Sequence, residues 1–198
     1  MKSMERICFF YVLVFLSVFF FSCTGLKEIT TGPKNIDRAI ASKGIKSVEQ
    51  LASFFLANNP KASRKEVVSL AQHYIKEADF EGINSDVAFV QMCLETGFLR
   101  FGGLVTADMH NYCGLGAIDA QNRGERFATP QQGVRAHIQH LHAYGTTTQL
   151  KGVLIDRRYK YVQPRGKAQD IHGLAGTWAA DLSYGEKLES LIRQLELF

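Results

Sequence analysis

The 198-residue sequence has few cysteines, a small excess of positive charge and none of the short motifs that mark nucleotide-dependent or serine-type enzymes. It contains no phosphate-binding loop, nucleophile elbow or dinucleotide fingerprint, so no cofactor is expected. The formal net charge is +4 and the isoelectric point is about 8.9. Nucleic-acid binding typically needs a more basic chain with Lys and Arg clustered on one face, so nucleic acid is not an expected partner.

Four cysteines are present, and two of them, Cys93 and Cys113, remain once the N-terminal segment and Cys23 are set aside. A pair of this kind in an exported protein is a candidate disulfide. Spacing alone does not show whether the two Cα atoms come close enough to be bridged. Bridged and free thiols therefore both remain open.

The N-terminus has the pattern of an export signal. Lys2 and Arg6 precede an apolar run from Ile7 to Phe21, which is shorter than the ~20 residues of a transmembrane helix. Residues 1–22 are therefore predicted to be a signal peptide. Phe20-Phe21-Ser22-Cys23, directly after the run, resembles a bacterial lipoprotein signal. The resemblance implies a lipoprotein-type signal peptide and Cys23 as the lipidation site of an exported, membrane-anchored chain facing the periplasm or cell surface. Each buried CH₂ of an acyl chain adds about 0.8 kcal/mol of membrane affinity. An ordinary signal peptide and an uncleaved anchor are the alternatives.

The rest of the chain is predicted to be a tether followed by one domain. Residues 23–46 lack a sustained apolar period and contain Gly32-Pro33 and Ser42-Lys43-Gly44, which is typical of a linker. Residues 47–198 are predicted to fold as a single domain, because a chain that is 46% hydrophobic can bury a core. A monomer is the default expectation.

The hydrophobic pattern of this domain is mostly helical. Apolar periodicity, capping signals and breakers predict helices over 48–57, from the capping box Ser63–Glu66 onward, 85–95, 129–145, 169–176 and 183–195. Residues 98–128 are punctuated by glycines and predict a small β or loop lobe, and 151–162 are expected to be partly extended. The predicted fold class is mostly α, with the lobe inserted after the third helix.

Glu95 is the candidate catalytic residue, because it ends a helix that is apolar on every side. Removal from water and the partial negative charge at the helix C-terminus both disfavour an ionised carboxyl there, so its pKa should be raised. A carboxylic acid that stays protonated near neutral pH can donate a proton to the departing oxygen of a glycosidic bond. The alternative is a solvated glutamate on a surface turn.

Three ordered blocks of sequence resemble the bacterial glucosaminidases, glycoside hydrolase family 73. The blocks are residues 82–116, which include Glu95-Thr96-Gly97 and Asn111-Tyr112-Cys113-Gly114-Leu115-Gly116; residues 133–141; and Trp178-Ala179-Ala180-Asp181-Leu182-Ser183-Tyr184. The short Glu-Thr-Gly element is weak alone. The three blocks in this order and at this spacing are specific, and they cover nearly the whole predicted domain.

The resemblance implies a lysozyme-like α fold with a mobile lobe beside a cleft, and Glu95 as general acid. The implied activity is that of an endo-β-N-acetylglucosaminidase, which cleaves the β-1,4 bond after N-acetylglucosamine in peptidoglycan or a related glycan. Relatives are often called mannosyl-glycoprotein endo-β-N-acetylglucosaminidases, a name that we take as nomenclature. The alternatives are a non-catalytic cell-wall glycan-binding lipoprotein and a lytic transglycosylase.

A second catalytic group is left open by the sequence. An inverting mechanism needs another carboxylate about 6.5–9.5 Å from the acid to activate water. Asp119 and Glu125, both in the predicted lobe, are the preferred candidates, ahead of Asp108, for which a turn-capping role is the alternative. Assistance by the acetamido group of the substrate would need no second carboxylate.

Four other residues are predicted to bind substrate along the cleft: Asn111, Tyr112, Trp178 and Tyr184. Asn111 and Tyr112 precede a turn whose glycines allow close approach of a ligand, and a purely structural turn is the alternative. Trp178 stands where the family commonly has Tyr, so a role that needs a phenolic hydroxyl is in doubt. It is either a sugar platform or a core anchor.

Three histidines, His137, His140 and His142, lie close together in the predicted helix 129–145. Two of them share a helical face, but the third points elsewhere and no carboxylate-rich zinc pattern accompanies them. No metal site is therefore predicted.

Overall fold

The computed structural model describes residues 35–198. The predicted signal peptide, Cys23 and residues 24–34 lie outside the described residues, so export and lipidation stay predictions. Five α-helices form the described part: α1 (Val48–Asn58), α2 (Arg64–Glu81), α3 (Ser85–Thr96), α4 (Pro130–Gly145) and α5 (Tyr184–Glu196). None of these helices combines the length and hydropathy that crossing a bilayer requires.

The helix starts follow the side chains that cap them. Ser47 and Gln50 form a reciprocal capping box on α1, and Ser63 and Thr129 accept backbone N–H groups at the starts of α2 and α4. Ser183 and Glu186 have the spacing of a capping box and predict one at the start of α5, but this prediction is wrong, because the Ser183 hydroxyl donates to Asp181 at 2.7 Å and does not cap the helix. Local sequence therefore defines most helix starts but not this one.

Helix α3 lies at the centre of the domain and packs against all four other helices. Its apolar residues from Val87 to Cys93 are fully buried. At its start the Asn84 side chain accepts the backbone N–H groups of Asp86 and Val87, which anchors the helix in the interior. The C-terminal end of α3 therefore places Glu95 beside the core.

The segment 98–128, which we call the lobe, is built from loops. It contains one 3₁₀ turn, Ala107–Met109, and one isolated bridge between Ala117 and Arg123, with no strand among the described residues. The buried Asn111 amide holds it together, because Nδ2 donates to the carbonyls of Leu115 at 2.9 Å and Glu125 at 3.0 Å. The loop alternative of the prediction is thus the correct one.

Two further predicted elements are absent as such. The expected extended stretch 151–162 is a loop ending in the 3₁₀ turn Tyr159–Tyr161, since the buried Gln139 amide accepts from the Ile155 and Asp156 backbone N–H groups. The expected helix 169–176 is reduced to the 3₁₀ turn His172–Leu174, because the Asp170 carboxylate accepts two backbone N–H groups and stops the chain in a turn.

The predicted tether extends too far along the chain. Ile36 and Ile40 are buried in the main core. The Ile40 backbone N–H donates to the Gln169 carbonyl at 2.8 Å, and Arg38 forms ion pairs with Glu189 and Glu196 of α5. The boundary at residue 47 is therefore wrong, because the described chain is already part of the domain from residue 36.

The two cysteines of the domain are free thiols. Cys93 belongs to the main core, whereas Cys113 lies in a smaller cluster with Leu115, Phe127 and Ala136 that fastens the lobe to α4. Burial raises the pKa of both thiols well above the usual range, so they stay protonated and unreactive.

Candidate active site

A sharp reversal of the chain after α3 exposes Glu95. Gly97 ends the helix in the left-handed conformation at φ 57°, and Phe98 and Leu99 also have positive φ. The Thr96 hydroxyl holds this turn, since it donates to the Met92 carbonyl at 2.8 Å and accepts from the Leu99 backbone N–H at 2.9 Å. Two consecutive non-glycine residues in this costly conformation, next to a charged group, are typical of a functional site.

A groove of about 250 Å³, which we call the cleft, opens at this turn between the end of α3 and the lobe. It is lined by Glu95, Thr96, Gly97, Phe101, Gly103, Leu104, Val105, Asn111, Gly114 and Ala117. The neighbouring Phe98 is partly buried and packs against the core, with its ring centroid 5.4 Å from that of Phe55. The predicted acid therefore faces the cleft.

The Glu95 carboxylate oxygen Oε1 accepts two side-chain hydrogen bonds. Trp178 Nε1 donates to it at 3.0 Å, and the Tyr184 hydroxyl donates to it as well. Glu95 keeps solvent access through the cleft, yet desolvation by the surrounding protein raises its pKa, against the lowering effect of these two donors. The predicted direction of the pKa shift is confirmed.

Trp178 is held in place by a cluster of rings. Its ring centroid lies 5.1 Å from those of His140 and Tyr144 and 5.8 Å from that of His137. With its one N–H on Glu95, the indole orients the acid and is not among the residues that line the cleft. Of the two alternatives, the anchor describes it better than the sugar platform.

The other predicted binding residues separate in space. Asn111 lines the cleft, although its amide is committed to holding the lobe. Tyr112 is buried in the core and borders a different groove, beside Ser69 and Pro130. Tyr184 is buried as well and contacts Glu95, so its position is that of a residue that orients the acid.

The three candidate second carboxylates are not among the residues that line the cleft. Asp108 pairs with Thr106 and Arg126, which lowers its pKa to about 2. Asp119 accepts backbone N–H groups of its own turn, and these lower its pKa. Glu125 is bound to Arg157 at 3.2 Å. Each of these carboxylates therefore has local hydrogen-bond or ion-pair partners that stabilise its charge.

The histidines of α4 each have different partners. His137 contacts Tyr74 and Gln91, His140 contacts Asp156, and His142 contacts Tyr159. Within residues 35–198 no group of three or more metal-ligating side chains comes together. These rings serve as hydrogen-bonding members of the core.

Near the acid, the sequence did not single out Gln91, and it raised His137 only as a candidate metal ligand. Gln91 and His137 are fully buried and bonded to each other at 2.9 Å. A signal was available for Gln91, because it is the one polar residue in the otherwise apolar run 87–94, and a buried amide must find partners. Nothing local distinguishes His137 from His140.

Close contact between α4 and the lobe depends on Gly133. A Cβ atom at this position would lie 1.8 Å from the His110 carbonyl oxygen. We expect Gly133→Ala to push the lobe off α4 and to lower the free energy of unfolding by about 1–3 kcal/mol, although Ala favours a helix by ~1 kcal/mol. Urea unfolding measures this loss.

The matched control is Gly103→Ala, since a Cβ there meets no atom within 4 Å. We expect it to leave the urea midpoint nearly unchanged. Equal stability of the two variants would show that the lobe is not held by this contact.

A helical domain with a carboxylic acid of raised pKa at the edge of a cleft is typical of glycoside hydrolases with the lysozyme-like fold. The chain belongs to the glucosaminidase family, whose model, described as mannosyl-glycoprotein endo-beta-N-acetylglucosaminidase, matches residues 71–197. An uncharacterized protein of Borreliella burgdorferi is 38% identical over 156 residues, which cover 79% of this chain and 76% of that protein.

Solved structures of S. aureus autolysin E share the fold. The structure in complex with the muropeptide NAM-L-Ala-D-iGlu aligns with a TM-score of 0.51 and 14% identity, over 82% of this chain and 73% of that chain. A catalytic mutant in complex with the disaccharide NAG-NAM aligns with a TM-score of 0.52 and 12% identity, over 82% and 72%. The predicted fold class and the predicted family are thus confirmed.

Proposed function

We propose that this protein is a peptidoglycan hydrolase that cleaves the β-1,4 bond after N-acetylglucosamine, with Glu95 as the general acid. The observation that carries the proposal is a carboxyl with a raised pKa at the edge of the cleft. The family supports the sugar, and autolysin E, a structural neighbour bound to peptidoglycan fragments, supports the polymer.

In the proposed reaction, Glu95 gives its proton to the glycosidic oxygen as the bond from that oxygen to the anomeric carbon breaks. Proton transfer prevents the build-up of an alkoxide on the leaving sugar. Since the acid must be protonated, activity should fall as the pH rises through the pKa of Glu95. Because desolvation by the surrounding protein raises this pKa, the enzyme should stay active up to a higher pH.

The group that displaces the leaving oxygen would come from the substrate itself, and the lining of the cleft supports this choice. Among the described residues that line the cleft, Glu95 is the one carboxylate. The acetamido oxygen would then attack the anomeric carbon as the leaving oxygen takes the Glu95 proton. Water, deprotonated by the same carboxylate, would open the resulting ring and regenerate the acid. An inverting route through Asp119 or Glu125 is the alternative.

Digestion of purified peptidoglycan with the wild-type domain tests this proposal, with mass spectrometry of the released fragments. Hydrolysis should yield fragments with N-acetylglucosamine at a reducing end. Anhydro-muramyl ends would instead indicate a lytic transglycosylase, and glycan binding without any release would indicate a non-catalytic binding protein. Either of these results would overturn the proposal.

We also propose that the enzyme is exported and held at a membrane by acyl chains on Cys23, and that it acts as a monomer. The support for anchoring is the apolar run from Ile7 to Phe21 followed directly by Ser22-Cys23. An anchored enzyme would act on the glycan next to its membrane.

A further inference from the structure

Four buried polar side chains, one from each of four helices, form a continuous hydrogen-bonded chain that ends on Glu95. The Tyr74 hydroxyl lies 2.8 Å from His137 Nδ1, and His137 Nε2 lies 2.9 Å from Gln91 Oε1. Gln91 Nε2 donates to the Tyr184 hydroxyl oxygen at 3.0 Å, and the Tyr184 hydroxyl donates to Glu95 Oε1. We call these four side chains the buried relay.

Every hydrogen bond of the buried relay is donated in the same direction, from Tyr74 toward Glu95. Burial lowers the pKa of His137 to about 3, so the ring is neutral, with one donating and one accepting nitrogen. Burial also keeps the Tyr74 hydroxyl protonated, and His137 Nδ1 is its hydrogen-bond acceptor among the described residues. Nδ1 therefore accepts and Nε2 carries the hydrogen, which it donates to Gln91.

The reverse direction is excluded by the core around Tyr74. If His137 Nδ1 donated to Tyr74, the proton of this fully buried hydroxyl would have no acceptor within the described residues. An unsatisfied buried donor costs about 1–3 kcal/mol. The Gln91 amide then has one consistent orientation, with its NH₂ group toward Tyr184.

The direction of these hydrogen bonds determines which carboxyl oxygen of Glu95 carries the proton. Because Tyr184 already accepts from Gln91, its single proton is directed at Oε1, where Trp178 Nε1 also donates. An oxygen that accepts two donors is a poor place for a proton of its own. No hydrogen bond from the described residues reaches Oε2, so the proton of the neutral acid belongs there.

We propose that Tyr74, His137 and Gln91 are positioning residues that act through Tyr184 to keep the transferable proton of Glu95 on Oε2, the oxygen left free for substrate. The proposal rests on the proposed function of Glu95 as general acid. It assigns a role to three residues that touch neither the substrate nor the reacting atoms.

Breaking the relay while keeping its shape tests the proposal. In His137→Met and Gln91→Met the Tyr184 hydroxyl is free to rotate away from Glu95, and the carboxylate loses a stabilising donor. We expect kcat to fall about tenfold, as for the loss of a hydrogen bond to a charged group, with KM changed less than about twofold. The alkaline limb of the pH profile should move to higher pH, and His137→Gln, which keeps a donor toward Gln91, should restore much of the activity.

A second tyrosine–histidine pair, between the 3₁₀ turn Tyr159–Tyr161 and α4, provides the matched control. Tyr159 contacts His142 Nδ1 at 3.1 Å, outside the buried relay. Tyr159→Phe and His142→Met should alter the melting temperature without moving the alkaline limb. If the relay variants lower stability and kcat but leave the alkaline limb of the pH profile unmoved, the relay is merely structural and the proposal is wrong.

Direct titration of Glu95 separates the proposal from the proposed function. The ¹³C chemical shift of the Glu95 carboxyl carbon should titrate at higher pH in Gln91→Met than in the wild type, whether or not glycan is cleaved. Tyr74→Phe removes a single oxygen atom, and it is the variant to titrate if the Met variants do not fold. Unchanged titration in Tyr74→Phe and in every folded relay variant overturns the proposal, whereas a wild type that leaves peptidoglycan intact overturns only the proposed function.

Discussion

Glu95→Gln is expected to reduce the rate of peptidoglycan hydrolysis by about 10²–10⁴-fold, the usual contribution of a general acid. The amide has almost the shape of the acid, and its oxygen can accept the hydrogen bonds of Trp178 and Tyr184 that now reach Glu95. It has no proton to give to the leaving oxygen. Release of reducing ends from purified peptidoglycan, measured at several pH values, gives the loss.

The same variant should be folded and more stable than the wild type at neutral pH. Because burial raises the pKa of Glu95 in the folded state, ionisation costs stability as the pH rises from the unfolded pKa through the folded one. Glutamine avoids this cost, so its advantage should disappear at low pH. The exposed Glu186→Gln is the matched control, for which neither effect is expected. Full activity of Glu95→Gln would remove the basis of the proposed mechanism.

Most of the helical frame could be predicted because its signals are local. Ser47 and Ser63 cap helices within three residues of their own position, and the apolar run of α3 identifies the central helix by composition alone. The structure of the lobe could not be predicted from local signals. Its shape depends on the Asn111 amide and on the close approach of Gly133 to His110, which join residues far apart in sequence.

The candidate site could be predicted only at its centre. Glu95 stands out because a charge at the end of an apolar helix is costly. The contacts that tune it come from Trp178 and Tyr184, more than 80 residues away. Sequence placed both residues near the cleft by resemblance but assigned them to the substrate, since the direction of a side chain follows from packing and not from its motif.

Removal of residues 35–46 is the second change for which we expect a large effect. A chain starting at residue 47 loses Ile36 and Ile40, both buried in the core. Burial of an isoleucine stabilises a fold by about 1.5–3 kcal/mol, so the two together contribute about 3–6 kcal/mol. Domains are stable by only about 5–15 kcal/mol. The chain 47–198 should therefore unfold at a much lower urea concentration than the chain 35–198.

The truncation also removes the partners of a buried charge. Asp86 accepts the backbone N–H groups of Ile45 and Lys46 at 2.8 and 3.2 Å. Burial raises the pKa of Asp86, and these two donors lower it. Without the donors, ionisation of the Asp86 carboxyl costs more stability in the folded chain. The shorter chain should therefore be least stable at neutral and alkaline pH. Ile40→Ala in the longer chain should reproduce part of the loss, and Ile45→Ala, at a position that is 44% exposed, should not. Equal urea midpoints for the two chains would mean that the segment is a tether after all, since its burial would then contribute nothing to the fold.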